Sequence, residues 1–148
     1  MHPHPRDPHA PARPSPVSFA ALPEDPAARV TRVVLPGRIL LLRATGEIDI
    51  DTAPLLRAAL RPGRQHLTIV DLSSLSFADC ALLRVLVPAR FRSRLVLVAG
   101  RRHKVRRLFA CTCTDRLFTF APDVDTALRM AIGTAPPRTP EAAWNGRL

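Results

Sequence analysis

A strand pattern passes into a helix pattern within the stretch Gln65-His-Leu-Thr-Ile-Val-Asp-Leu-Ser-Ser-Leu-Ser-Phe-Ala-Asp-Cys-Ala-Leu-Leu-Arg-Val-Leu-Val87. Residues 65–70 contain a short apolar run rich in β-branched side chains, which predicts a buried strand. Residues 71–76 are polar and turn-forming, and apolar residues then recur at helical spacing. Asp79 is placed to cap that helix, so we expect Cys80 at its first turn, at the positive end of the helix dipole.

Strand and helix patterns alternate on both sides of this stretch. Two strand patterns, Val30–Leu35 and Arg38–Ala44, flank the turn dipeptide Pro36-Gly37 and predict a hairpin. The remaining elements are, in order, a helix at 53–60, the strand at 65–70, the helix from Asp79, a strand at 94–100, a helix at 101–111, a strand at 117–120 and a helix capped by Asp123 or Asp125.

This order predicts the fold class. A hairpin followed by alternating helices and strands is typical of an α/β domain with a mostly parallel sheet. We therefore expect a single domain with four to five strands, begun by the N-terminal hairpin, and about four helices. Pro88 is expected to kink the helix that opens at Asp79, or to confine its regular part to about two turns.

Composition divides the chain into an arm, a domain and a tail. Residues 1–29 hold eight prolines, which predicts a disordered arm. Residues 134–148 have similar character and predict a flexible tail, so the folded domain is expected at 30–133. The sequence lacks an apolar run of about 18 residues and an apolar leader, and it contains an odd number of cysteines. We expect no membrane span, a cytoplasmic location and reduced thiols.

The domain is strongly basic. Residues 30–133 carry 17 Lys and Arg against 8 Asp and Glu, so +9 of the formal charge of +10 lies there. This balance favours acidic partners. The densest basic run, Arg101 to Arg107, leaves nucleic-acid binding as an alternative function. The absence of Tyr and the position of the only Trp at 144, in the tail, argue against it because stacking platforms for bases are missing.

No pattern of catalytic residues is present in the sequence. There is no glycine-rich phosphate loop, and no histidine or serine is placed with the aspartates for nucleophilic catalysis. Cys111-Thr-Cys113 lacks the usual spacing of a structural zinc site. We expect neither an enzyme nor a bound cofactor or metal. A redox role of Cys80 stays open, because a helix N-terminus favours the thiolate.

Three motifs resemble the STAS domain of bacterial anti-sigma factor antagonists. Thr45-Gly-Glu-Ile-Asp49, followed by Thr52-Ala-Pro-Leu55, resembles the family's Gly-Glu-Leu-Asp signature and first helix. Asp71–Leu83 resembles its loop of the form Asp-Leu-Ser-Gly-Val-x-Phe-x-Asp-Ser-x-Gly-Leu. Val105–Phe118 resembles its third helix and the turn into its last strand. Together the motifs span nearly all of the predicted domain in the family's order.

The resemblance implies a function in transcription regulation. Family members bind an anti-sigma factor, typically an ATP-binding serine kinase, and thereby free a sigma factor. The serine after the loop aspartate is phosphorylated in the family, and the phosphate abolishes binding. Cys80 stands at that position here, and Leu82 replaces a glycine. Because a thiol is a poor substitute for the hydroxyl, the resemblance predicts a loop that does not respond to this switch.

The same resemblance implies a surface for the anti-sigma factor. Its predicted residues are Asp49, Thr52, Asp79, Cys80, Ala81, Leu82, Leu83 and Arg84. We expect the protein to be a monomer or a weak dimer. A STAS scaffold or ligand-sensing module is the alternative, in which Leu82 and Leu83 form an apolar docking spot.

Overall fold

A five-stranded sheet forms the centre of the protein, whose computed structural model describes residues 27–133. The elements are β1 (Ala28–Leu35), β2 (Ile39–Ile48), α1 (Ala53–Ala59), β3 (Leu67–Ala78), α2 (Cys80–Arg92), β4 (Arg94–Val98), α3 (Lys104–Cys111), a 3₁₀ turn (Asp115–Leu117), β5 (Thr119–Ala121) and α4 (Val124–Gly133). The strands lie in the order β1-β2-β3-β4-β5; β1 is antiparallel to β2, and the other neighbours are parallel. The predicted α/β class, hairpin and mostly parallel sheet are confirmed. β1 begins at Ala28, two residues before the predicted start of the domain. The predicted tail and residues 1–26 of the predicted arm lie outside the described residues.

Helices cover both faces of this sheet. α1, α2 and α3 pack on one face, over β-strand residues such as Leu42 and Leu72. α4 packs on the other face, against Ile69 and Val96. Successive strand–helix–strand units with right-handed crossovers place their helices on one face when the strands follow in sequential order. Burial from both sides explains why Leu95–Val98 is continuously apolar.

β3 is longer than the sequence predicts. The turn predicted at residues 71–76 is wrong, because the strand continues to Ala78. The buried carboxylate in this part, Asp71, has its partners within the sheet. Asp71, only 3% exposed, lies 3.0 Å from the Nε atom of Arg43 and accepts from the backbone N–H and the hydroxyl of Ser73. Leu72 and Leu75 are buried and anchor the strand to the core.

α2 continues through Pro88 to Arg92, so the expected confinement to two turns is wrong. Proline lacks the N–H that would bond to the carbonyl of Arg84, four residues earlier. Both residues lie on the exposed side of the helix, where water can satisfy that carbonyl. The lost hydrogen bond is therefore less costly than it would be in the core.

Gly46 lies where the start of β1 approaches β2 most closely. Its φ is +84°, and a Cβ atom there would overlap the carbonyl oxygen of Ala27. The same oxygen accepts from the N–H of Glu47 at 2.7 Å. Gly37, in the hairpin turn, also has a positive φ (+81°), but open space surrounds it. A comparison of alanine substitutions at the two glycines therefore separates the cost of a positive φ from the cost of steric overlap.

We expect Gly46→Ala to lower the free energy of unfolding more than Gly37→Ala does. Both changes place alanine at positive φ, which costs roughly 1–2 kcal/mol. Only Gly46→Ala adds an overlap with backbone, typically about 1–3 kcal/mol more. Urea denaturation of the two variants beside the wild type measures the difference. Equal losses would contradict the close approach of Ala27 to Gly46.

Candidate functional site

The predicted site lies at the carboxyl edge of β2 and β3. The last residues of the two strands, Ile48 and Ala78, are paired, and the N–H of Asp79 donates to the carbonyl of Ile48 at 3.3 Å. The loop after β2 and the start of α2 therefore leave the sheet side by side. Parallel α/β sheets commonly place binding sites at this edge.

Asp49 and Thr52 fix the shape of the loop after β2. The Oδ1 atom of Asp49 accepts from the N–H groups of Asp51 (2.9 Å) and Thr52 (3.0 Å). The Thr52 hydroxyl oxygen lies 3.0 Å from this Oδ1 and 2.8 Å from the carbonyl oxygen of Glu47, and it accepts from the Asp49 N–H. The Thr52 N–H, followed by its hydroxyl, holds the pKa of Asp49 below its ordinary value. This network leaves Ile50 at the loop tip, 70% exposed.

Asp79 caps α2 as predicted. Its Oδ1 atom accepts from the N–H of Ala81 at 2.8 Å, and its carbonyl accepts from the N–H of Leu82 at 3.0 Å. Cys80 is the first residue of the helix and is exposed. The cap thus fixes the backbone while the thiol faces solvent.

Three predicted contact residues point into the core instead. Leu82 is fully buried, and Ala81 and Leu83 are nearly so. The proposed docking spot of Leu82 and Leu83 is wrong for this reason. Leu82 also adds no bulk to the exposed surface, although it stands where the family has glycine. Of the predicted residues on α2, Cys80 and Arg84 are left exposed.

Two exposed apolar residues near the start of α2 are absent from the predicted site. Ile50 is one, and Phe77, near the end of β3, is 48% exposed. The N-terminus of α3 lies beside Phe77, since Lys104 donates from Nζ to the Ser76 carbonyl at 3.0 Å. An isoleucine between two aspartates in a polar loop was the available signal for Ile50. The position of Lys104 has no comparable local signal.

Residues 27–133 contain neither a metal-binding cluster nor a membrane-spanning helix. No group of three or more potential metal-ligating side chains is close together in this part of the chain. Cys80, Cys111 and Cys113 are free thiols. None of the helices described is long and apolar enough to cross a membrane.

A STAS domain profile matches residues 31–127, and the chain therefore belongs to the STAS domain family. The protein is similar to an anti-sigma factor antagonist from Mycobacterium paratuberculosis, with 25% identity and a TM-score of 0.62 over 70% of this chain and 92% of that one.

Its fold also matches the anti-sigma factor antagonist SpoIIAA in two forms. The unphosphorylated form gives 18% identity and a TM-score of 0.60 over 71% of this chain and 97% of that one. The phosphorylated Bacillus form gives 17% identity and a TM-score of 0.53 over 69% and 99%. A search of curated proteins gave no match. The resemblance inferred from the three sequence motifs is confirmed at the level of family and fold.

Replacing Thr52 with valine is expected to raise the pKa of Asp49 toward its ordinary value of about 4. The change removes the hydroxyl but keeps the backbone N–H and the side-chain shape. A carboxyl pKa that is lowered by folding adds stability above its unfolded-state value, and this contribution disappears as the pH falls through the folded-state pKa. The stability difference between variant and wild type should therefore shrink in acid.

An NMR titration of the aspartate carboxyl carbons measures this shift. Asp123 is an internal control, because the N–H and hydroxyl of Thr126 lower its pKa in the same way. Thr52→Val should leave the pKa of Asp123 unchanged. An unchanged pKa at Asp49 would show that the Thr52 hydroxyl does not hold the loop.

Proposed function

We propose that the protein is an anti-sigma factor antagonist, which binds an anti-sigma factor in the cytoplasm and so regulates sigma-factor-dependent transcription. The exposure of Cys80 at the start of α2, beside the loop held by Asp49 and Thr52, is the observation that carries this proposal. It is supported by membership of the STAS family and by similarity to the antagonist from Mycobacterium paratuberculosis. The exposed free thiols are compatible with a reducing compartment.

The contact surface that we propose consists of Ile50, Phe77, Cys80, Arg84 and Lys104, which we call the Cys80 surface. Ile50 and Phe77 supply exposed apolar area. Lys104 lies beside Phe77, and Arg84 lies one helical turn after Cys80. An apolar centre with a polar rim is typical of specific protein interfaces. Arg84, if it pairs with a carboxylate at the rim, contributes only about 0–1 kcal/mol. Asp49, Thr52 and Asp79 act indirectly, by fixing the backbone beneath this surface.

The proposed partner is an anti-sigma factor of the ATP-binding serine-kinase type. The similar structures of SpoIIAA include a phosphorylated and an unphosphorylated form, which supports a kinase as the proposed partner. A phosphate adds about −1.5 to −2 charges at neutral pH, enough to disrupt a contact with an acidic or apolar surface. Cys80 replaces the phosphorylated serine of the family. We therefore propose that this protein binds its partner without the usual phosphorylation switch, by association rather than catalysis.

Cys80→Asp is expected to weaken capture of the anti-sigma factor by about tenfold or more, equivalent to about 1.4 kcal/mol. The change puts a fixed negative charge at the centre of the Cys80 surface. Cys113→Asp is the matched control. Cys113 is also exposed, and its φ of +56° suits aspartate. It follows the C-terminus of α3, the end opposite to Lys104.

The measurement is affinity capture from the native cell with tagged protein, followed by mass spectrometry. Circular dichroism establishes that both variants are folded. Retention of the partner by Cys80→Asp at the wild-type level would place the interface elsewhere. Capture of no anti-sigma factor by the wild type would favour a scaffold or ligand-sensing role for the domain.

Cys80→Ser is expected to make the protein a substrate of the captured kinase. The serine would occupy the same exposed first position of α2, behind the same Asp79 cap. Incubation with the kinase and ATP, followed by peptide mass spectrometry, should show phosphate on residue 80 of the variant and none on this loop in the wild type. Stoichiometric phosphate on Ser73, Ser74 or Ser76 of the wild type would contradict the proposed loss of the switch.

A further inference from the structure

The groove between α1 and α2 carries four arginines and no carboxylate. Arg57 and Arg61 line one side, Arg84 and Arg92 line the other, and the groove encloses about 500 Å³. All four side chains are exposed. Within residues 27–133, no hydrogen bond or ion pair joins any of these guanidinium groups to another side chain or to the backbone. The groove therefore concentrates four positive charges that no carboxylate of the described residues pairs with.

Helix dipoles account for only part of this arrangement. Arg57 and Arg92 lie in the last turns of α1 and α2, where cations are stabilised by the negative end of the helix. Arg84 lies in the second turn of α2, nearer its positive end, and Arg61 lies beyond the end of α1. Arg61 is still next to the negative end of α1, so Arg84 is the charge that the helix ends do not stabilise. An anionic ligand would neutralise all four.

The groove begins at the proposed contact surface. α1 and α2 follow neighbouring parallel strands on the same face of the sheet, so they run in the same direction. Arg84 lies one turn after Cys80 at one end of the groove, and Arg61 with Arg92 lies at the other end. A partner that contacts Cys80 can therefore extend a segment along the groove.

The chemistry of the groove favours a polypeptide over a nucleic acid. Its remaining lining is apolar and includes Leu60, Val85, Pro54 and Pro88. Pro88 also leaves the Arg84 carbonyl without its helical donor, as described above, so this carbonyl can accept from a ligand N–H. Nucleic-acid phosphates offer acceptors only. An acidic peptide segment offers carboxylates, N–H donors and aliphatic side chains together.

We propose that the α1–α2 groove binds an acidic segment of a protein partner that also carries aliphatic side chains. Its role as an extension of the Cys80 surface rests on the proposed function. Binding of an acidic segment to the groove itself does not.

The second basic surface, Arg101–Arg107, provides the matched control. Part of its charge is already used within the fold. The Arg106 guanidinium stacks on Phe120 at 3.9 Å and donates to the Ala99 carbonyl, and Lys104 donates to the Ser76 carbonyl. Asp115 lines the same surface. Two exposed arginines here, Arg101 and Arg102, can be neutralised with the same change in net charge as two in the groove.

The test uses the full chain and a synthetic peptide of about twelve residues that alternates paired Glu with Leu. Titration into ¹⁵N-labelled protein at about 150 mM NaCl should shift amide signals in residues 54–62 and 84–92. In fluorescence anisotropy, Arg57→Gln with Arg84→Gln should weaken peptide binding by about tenfold, and Arg101→Gln with Arg102→Gln by less than about twofold. A duplex DNA of about 20 base pairs should not displace the peptide at this salt concentration.

Several results would overturn the proposal. These are the absence of saturable binding, signal shifts centred on residues 101–107, equal losses in the two double variants, and efficient displacement by the DNA. The peptide experiment contains no anti-sigma factor, so it can fail while capture through Cys80 succeeds. Conversely, capture of an anti-sigma factor can fail while the NMR titration still maps peptide binding to the groove.

Discussion

The parallel pairing of β2 with β3 positions the loop after β2, the end of β3 and the start of α2, which carry four of the five residues of the proposed contact surface. This pairing runs from Ile39 opposite Leu67 to Ile48 opposite Ala78, with register shifts around Gly46. Because it continues to the last residue of both strands, the N–H of Asp79 reaches the Ile48 carbonyl, and two loops leave the sheet together. Near the same shifts, the start of β1 is held by the bond from the Glu47 N–H to the Ala27 carbonyl. A single part of the sheet therefore fixes the hairpin, the Asp49 loop and the start of α2.

The charge of the domain is arranged around this surface. The α1–α2 groove extends from Arg84 in one direction, and the basic surface before and along α3 lies beyond Phe77 in the other. A net charge of this sign accelerates encounter with an acidic partner, and the effect weakens as salt increases. The exposed Ile50 and Phe77 of the proposed surface would add apolar contact area that charge alone does not provide. In the proposed complex, charge would act mainly on the association rate and apolar area on the lifetime.

Hydrophobic periodicity predicted the order of elements because each strand and helix buries a face that is visible in the local sequence. It failed at residues 71–76, where Asp71 is stabilised by Arg43, a residue on the neighbouring strand. The expectation of a shortened helix at Pro88 was wrong because the cost of a proline depends on whether that side of the helix meets water. The Asp79 cap was predictable, since a cap is a contact between adjacent residues. The inward direction of Leu82 was also readable, because Leu82, Val85, Leu86 and Ala89 recur at helical spacing and are all buried. The neighbourhood of Lys104 and Ser76 depends on tertiary packing, and no local pattern carries that information.

The most direct test of the proposed function is affinity capture from the native cell with three tagged proteins: wild type, Cys80→Asp and Cys113→Asp. Mass spectrometry then identifies and quantifies the captured proteins. The proposal predicts an ATP-binding anti-sigma factor with the wild type and with Cys113→Asp, reduced by about tenfold or more with Cys80→Asp. Equal recovery by all three proteins would contradict the assignment of the interface to Cys80. The absence of an anti-sigma factor from all three would contradict the function itself.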